Sequence, residues 1–240
     1  MKNVLITGAN QGIGFEVAKQ MAQLGYYVYL GSRDEQKGLT AANELYNEGL
    51  TNIEVLKIDV SDLESVRNAA STLQSKVEAL DILINNAAIA GPQPQKISAC
   101  DITTIKEIFN TNYFGPIQTT QHFLPLLKKA PLPVIVNVSS ELGSLTMQTS
   151  ESRSPNWDNY HVYGATKTAL NTFTINLAHE MRGTKFRINS VTPGYTATNL
   201  NNFAGFKTVA EGAKPIVQLA TIGEDGPTGR FFCQEGEFPW

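Results

Sequence analysis

Tyr163 stands four residues before Lys167 in the stretch "YGATK". A phenol ionises near pH ~10 and is a poor proton carrier at neutrality. On a helix, residues four apart leave the same face, so an ammonium at 167 would approach the phenol and lower its pKa. That pairing describes a tunable acid–base group. Three other clusters also carry possible chemistry. Gly8, Gly12 and Gly14 form a G-x-x-x-G-x-G turn, whose missing Cβ atoms let a pyrophosphate approach the backbone in front of a helix N-terminus. Arg33 follows Ser32 at the end of "YLGSR", where an acid would bind ribose hydroxyls. An arginine there suits a 2′-phosphate instead. Ser139 and Ser140 follow the apolar run "VIVNV". Neither a G-x-S-x-G elbow nor a suitably placed histidine accompanies them, so one of the two hydroxyls reads as a hydrogen-bond donor rather than a nucleophile.

These groups need a scaffold that brings them together, and the pattern along the chain supplies one. Val4 to Ile6 reads as a strand, "TGANQGIG" as a turn, and Ile13, Val17, Met21 and Leu24 recur at helical spacing up to Gly25. Strand patterns follow at Tyr27–Leu30, Ile53–Ile58, Ile82–Ile84, 134–138 and 187–191, with a last short one around Gly229–Phe232. Helical patterns separate them: a stretch closed by Gly49, one capped by Ser61 or Asp62, a long region from about Thr103 to Leu127, the segment holding Tyr163 and Lys167, and one near Thr208–Ala220. Continuous apolar strands alternating with helices predict a single-domain α/β protein over residues 1–240. Its expected architecture is a doubly wound, Rossmann-type parallel sheet with helices on both faces. Ligands in that architecture bind beyond the carboxyl ends of the strands.

Composition narrows the function classes. A net charge of −3 without a Lys/Arg cluster argues against nucleic acid as a partner. No apolar run approaches the roughly 18 residues that span a bilayer, and the N-terminus enters a strand pattern at once. The expected partner is therefore not a membrane, and the expected address is cytoplasmic. Cys100 and Cys233 are far apart, and His122, His161 and His179 are scattered, so free thiols and no metal site are expected.

In combination, "TGANQGIG", "NNAA", "TNYFG", "VNVSS", "YGATK" and "PGYTATN" resemble the short-chain dehydrogenase/reductase family, in order and approximate spacing over essentially the whole chain. The versions found here are most similar to those of NADPH-dependent carbonyl reductases. The resemblance implies a catalytic set of Asn112, Ser140, Tyr163 and Lys167, acting on a small-molecule carbonyl substrate. Tyr163 would donate a proton to the carbonyl oxygen while the nicotinamide delivers hydride to its carbon. Lys167 would lower the Tyr163 pKa and bind the nicotinamide ribose; Ser140 would polarise the carbonyl; Asn112 would hold a water in a proton relay. For the cofactor it implies the glycine turn with Asn10, Gln11 and Ile13, then Arg33, Asp59, Val60, Asn86, Tyr163, Lys167, Thr196, Ala197 and Thr198. NADP(H) is preferred on the strength of Arg33, with NAD(H) the alternative, because Gln11 stands where many NADPH-dependent members carry a second basic residue.

Other readings compete with this one. An NAD-dependent alcohol or hydroxysteroid-type dehydrogenase would work oxidatively, and a dinucleotide sensor would keep the fold without chemistry; the intact Tyr163/Lys167/Ser140/Asn112 set disfavours the sensor. The interval from Ser140 to Tyr163 is about ten residues longer than the family's usual spacing. Its extra residues, around 147–159, are expected either to cover a helix used for dimerisation in other members or to form one wall of the substrate pocket. Both a monomer and a homo-oligomer fit the sequence. Trp157, Tyr195 and Phe203 are the candidate lining, within substrate-facing loops 88–100, 141–160 and 196–212. The apolar "FPW" at 238–240 is expected to close the pocket or to pack on a neighbouring subunit.

Overall fold

A computed structural model of the chain describes residues 1–151 and 153–240. Ser152, which falls inside the 147–159 stretch, lies outside the described residues. Eight strands form one sheet: β1 (Asn3–Ile6), β2 (Tyr27–Ser32), β3 (Ile53–Lys57), β4 (Ile82–Asn85), β5 (Val134–Val138), β6 (Arg187–Val191), β7 (Phe231–Cys233) and β8 (Gly236–Glu237). Their order is β3-β2-β1-β4-β5-β6-β7-β8. All pairings are parallel except the β7–β8 hairpin. The order reverses between β1 and β4, which places a crevice at the carboxyl ends of those two strands.

Helices α1 (Gly12–Gln23), α2 (Glu35–Asn47) and α8 (Val209–Ala220) cover one face, and α3 (Leu63–Gln74), α5 (Gly115–Leu127) and α7 (His161–Glu180) cover the other. The apolar runs had to be continuous because each strand feeds two cores. Val4 and Ile6 pack with α1 and α8, whereas Leu5 between them packs with Leu83, Ile135 and Ile188 on the opposite side.

Three features differ from the sequence expectation. The long helical region is interrupted: α4 (Ile102–Phe109) passes into a wide π turn at Asn110–Phe114 before α5 begins. Such turns insert one residue into the helix and redirect a side chain; here the redirected residue is Asn112, which is buried. The polar stretch after β5, for which no element was expected, contains 3₁₀ turns at Glu141–Gly143 and Pro155–Tyr160 and the single turn α6 (Leu145–Gln148). The last strand turns back as β8 through a hairpin that no alternating pattern announces, because it is only two residues long.

Candidate active site

The glycine turn between β1 and α1 is fastened to the turn after β4. Thr7 Oγ1 accepts hydrogen bonds from the Asn86 and Ala87 backbone N–H groups at 3.0 and 3.1 Å, and Asn86 Nδ2 donates to the Thr7 and Gly8 carbonyls. Gly8 has a φ of 64°, and a Cβ there would lie 2.8 Å from the Ala87 Cα. A Cβ on Gly14 would fall on the Asn86 amide. The turn therefore keeps backbone amides at its surface. Gln11, which begins α1, makes no side-chain cap, so the first N–H groups of that helix stay available to an anion.

A cleft of about 1060 Å³ runs from this turn across the carboxyl ends of the strands. Gly8, Asn10, Gln11, Gly12, Ile13, Gly14, Arg33, Asp59, Val60, Asn86, Thr196 and Thr198 all line it. Ser32 is buried, and its hydroxyl donates to the Asp34 carbonyl at 2.7 Å, so no carboxylate occupies the end of β2. Arg33 is exposed at the cleft and has no ion-pair partner among the described residues. Asp59 is oriented by Ser61, whose N–H and hydroxyl both donate to its Oδ1. Ala197 is a correction: it does not line the cleft, and its N–H is spent on the Lys207 carbonyl at 2.9 Å.

Tyr163 and Lys167 do share one face of α7 at the far end of the cleft, with the Lys167 Nζ 5.5 Å from the phenol ring centroid. Nζ donates to the Val138 carbonyl at 2.8 Å. The two serines divide their tasks. Ser139 is buried and donates to the Lys167 carbonyl, whereas Ser140 Oγ accepts from the Leu142 N–H at 3.2 Å and so keeps its own proton for Tyr163 or a ligand. In the cofactor-free protein, burial governs both groups. Burial pushes the Tyr163 phenol well above its ordinary value, and the hydrogen bond with Ser140 opposes this only in part. Burial also pulls Lys167 down to about 7, so it is not a firm cation beside the phenol.

Asn112 is close to this pair without lining the cleft. Its Oδ1 accepts from the Ile89 N–H, while Nδ2 donates to the Ile89 carbonyl and to Thr166 Oγ1 at 3.1 Å. Those three bonds use both Nδ2 hydrogens and one lone pair of Oδ1. Asn112 ties the segment after β4 to α7 and is a positioning residue. Below it, Asn85 Nδ2 donates to Asn137 Oδ1, and Asn137 Nδ2 donates to Thr174 Oγ1, a buried polar chain across β4, β5 and α7. Single polar letters inside apolar strands were the only signal of that chain.

The stretch after Ser140 forms a wall of the cleft through Met147, Ser154, Asn156, Trp157 and Tyr160. Arg153 pins it, bonding to Gln148 and pairing with Asp158 at 2.6 Å. Tyr195 lines the opposite side as expected. Phe203 does not; it is exposed with a φ of 59°, and Phe206 takes its place, 6.0 Å from the Tyr195 ring. The tail folds onto its own chain, with Trp240 stacked on Phe231 at 5.5 Å and its carbonyl accepting from the Thr146 N–H at 2.9 Å. Sequence reasoning passed over Gln95, a buried side chain bonded to the Tyr163 backbone. A lone glutamine in a Pro-rich loop gave no signal.

Residues 2–205 match the family model described as short chain dehydrogenase. The chain is 31% identical to a (+)-neomenthol dehydrogenase of Capsicum annuum, with 96% of this chain and 95% of that protein covered. Among solved structures it superposes on salutaridine reductase from Papaver somniferum with a TM-score of 0.85 at 28% identity, covering 97% of this chain and 99% of that one. It superposes equally well, at 0.85 and 26% identity, on the NADPH-bound carbonyl reductase from chicken fatty liver, covering 100% of this chain and 99% of that one.

Proposed function

The chain belongs to the short-chain dehydrogenase family, and from that premise we propose that it reduces a ketone or aldehyde to an alcohol with NADPH. The observation that carries the reading is convergence: one cleft holds an uncapped helix N-terminus and Arg33, which has no ion-pair partner among the described residues, at one end, and Ser140 with Tyr163 at the other. The relatives named above include a carbonyl reductase with NADPH bound. We take residues 1–240 as one domain, because a single sheet runs through them. A cytoplasmic setting suits the free thiols Cys100 and Cys233. No helix among the described residues is long and apolar enough to cross a membrane.

The residues present fit the dinucleotide. The turn at Gly8–Gly14 and the N-terminus of α1 would hold the pyrophosphate, and Arg33 the 2′-phosphate. Asp59 and Val60 would flank the adenine, with Asn86, Thr196 and Thr198 along the middle of the cleft. Bound there, the nicotinamide supplies hydride to the carbonyl carbon. Ser140, whose Oγ is fixed by Leu142, donates a hydrogen bond to the carbonyl oxygen. Tyr163 is protonated at neutrality, as a phenol is, and it gives its proton to that oxygen as negative charge develops there. Lys167 holds the nicotinamide ribose and, once charged, stabilises the phenolate left behind. Asn112 fixes the backbone around Ile89 and Thr166, so that Tyr163 and the cleft floor keep their spacing.

The test is loss of nicotinamide absorbance with NADPH and with NADH across small ketones, aldehydes, β-keto esters and quinones. Turnover with NADPH that Tyr163→Phe lowers by about 10²–10⁴ is expected. No reduction of any carbonyl, with intact cofactor binding, would return the sensor reading.

A further inference from the structure

Charge is scarce in the cleft. Among the described residues lining it, only Arg33, Asp59, Glu141 and Lys167 are ionisable as acids or bases of ordinary charge. Arg33 and Asp59 follow β2 and β3, at the dinucleotide end, and Lys167 is bonded down to Val138. Glu141 is thus, among the described residues, the single acid lining the cleft away from its dinucleotide end. It follows Ser140 directly and opens the 3₁₀ turn after β5.

Its carboxylate makes no hydrogen bond or ion pair with any described residue. It is half-buried, and burial pushes its pKa above the ordinary carboxylate value; the Lys207 charge opposes the shift and Glu235 reinforces it. Lys207 does not line the cleft. Its ammonium lies against the Pro-Gly turn, where a Cβ on Gly194 would come within 2.9 Å of Nζ. Lys207 does not offset the hydration that this carboxylate has lost, so a further cation entering beside it stabilises it.

Four aromatic residues line the same cleft: Trp157, Tyr160, Tyr195 and Phe206. Ring faces attract cations, and a carboxylate and aromatic rings lining one cleft are the chemistry that recognises a protonated amine. A neutral ketone gains from the rings but nothing from Glu141.

We propose that Glu141 is the counter-ion for a basic nitrogen on the substrate, so that the preferred substrates are carbonyl compounds carrying a protonated amine. This rests on the carbonyl-reductase reading, with the carbonyl oxygen at Ser140 and Tyr163 and the ammonium at Glu141.

The probe pair is a phenyl ketone ending in a dimethylamino group and its carbon isostere ending in isopropyl. Turnover of each with NADPH is compared in the wild type and in Glu141→Gln, and calorimetry measures their binding to the NADP⁺-loaded proteins, where no reduction occurs. The wild type is expected to favour the amino ketone by at least about tenfold in both kcat/KM and affinity, with the ratio near one in Glu141→Gln. Equal handling of the two ketones by the wild type, or a preference that survives in Glu141→Gln, overturns the proposal while leaving the reductase reading intact. Preferential, Glu141-dependent binding without turnover of either ketone supports the cation site and removes the reductase reading instead.

Discussion

The side-chain carbonyl of Gln95 accepts the backbone N–H of Tyr163 at 2.9 Å. Tyr160, the residue at the start of α7, makes no side-chain cap, so a loop residue 68 positions upstream satisfies one of the helix's first donors. The same amide donates to the Ala90 and Pro92 carbonyls, and the Gln95 N–H donates to the Asn159 carbonyl. The loop after β4, the wall at 155–160 and the backbone of Tyr163 are therefore joined through one buried residue.

Gln95→Leu keeps the volume and removes the bonds. A loss of about 1–3 kcal/mol in stability is expected, from the carbonyls and the helix N–H left unpaired. Because Tyr163 then loses its anchor, kcat should fall while the Michaelis constant for NADPH changes little. Urea unfolding and steady-state kinetics read the two effects separately. A normal kcat in a destabilised variant would mean that the rest of α7 alone sets the phenol's position.

Lys167 makes the cofactor-free protein sensitive to pH. In an unfolded chain a lysine keeps its proton up to about pH 10.4, whereas buried Lys167 releases it at about 7. Between these values the unfolded chain holds the extra proton, so stability rises with pH across that window and is lowest below it. The raised pKa of Tyr163 acts the other way only above about pH 10, where an unfolded tyrosine ionises first. The melting temperature without cofactor should therefore climb from about pH 6 to about pH 9. The climb should flatten in Lys167→Met. An identical climb in that variant would assign it to other groups.

How far the site could be read from the chain depends on what each residue answers to. Tyr163, Lys167 and the glycine turn were legible because local spacing fixes them: one helical turn for the pair, one tight turn for the glycines. The sheet was legible because buried parallel strands leave long apolar runs. Gln95, Asn137 and the π turn at Asn110–Phe114 answer to partners far along the chain, so no local pattern marks them. Phe203 and Phe206 illustrate the same limit. Both sit in one loop, and only the loop's fold decides which ring reaches the cleft.

Arg33 should decide the cofactor. It is the only cation lining the dinucleotide end of the cleft among the described residues, and Ser32 beside it offers no carboxylate to compete for a ribose. Hydrogen bonds to a charged group are worth about 1.5–3 kcal/mol. Arg33→Ala should therefore raise the Michaelis constant for NADPH by about ten- to a hundredfold and leave that for NADH within about twofold. Equal effects on the two cofactors would show that the 2′-phosphate is held elsewhere.

Trp240 couples the end of the chain to the cleft wall. Its ring stacks on Phe231, a fully buried residue of β7 that also meets Phe238 edge-on at 5.2 Å. Its carbonyl receives the Thr146 N–H, one residue before Met147 enters the lining of the cleft. Trp240→Ala removes the stack and loosens the chain that makes the bond. The aromatic contact and its buried area should cost about 1–3 kcal/mol of stability. The more informative readout is the substrate. With α6 no longer held from behind, the Michaelis constant for a bulky ketone should rise several-fold, whereas that for NADPH, bound at the other end of the cleft, should hold. A parallel rise in both constants would point to general unfolding of the sheet edge rather than to a wall that the tail keeps in place.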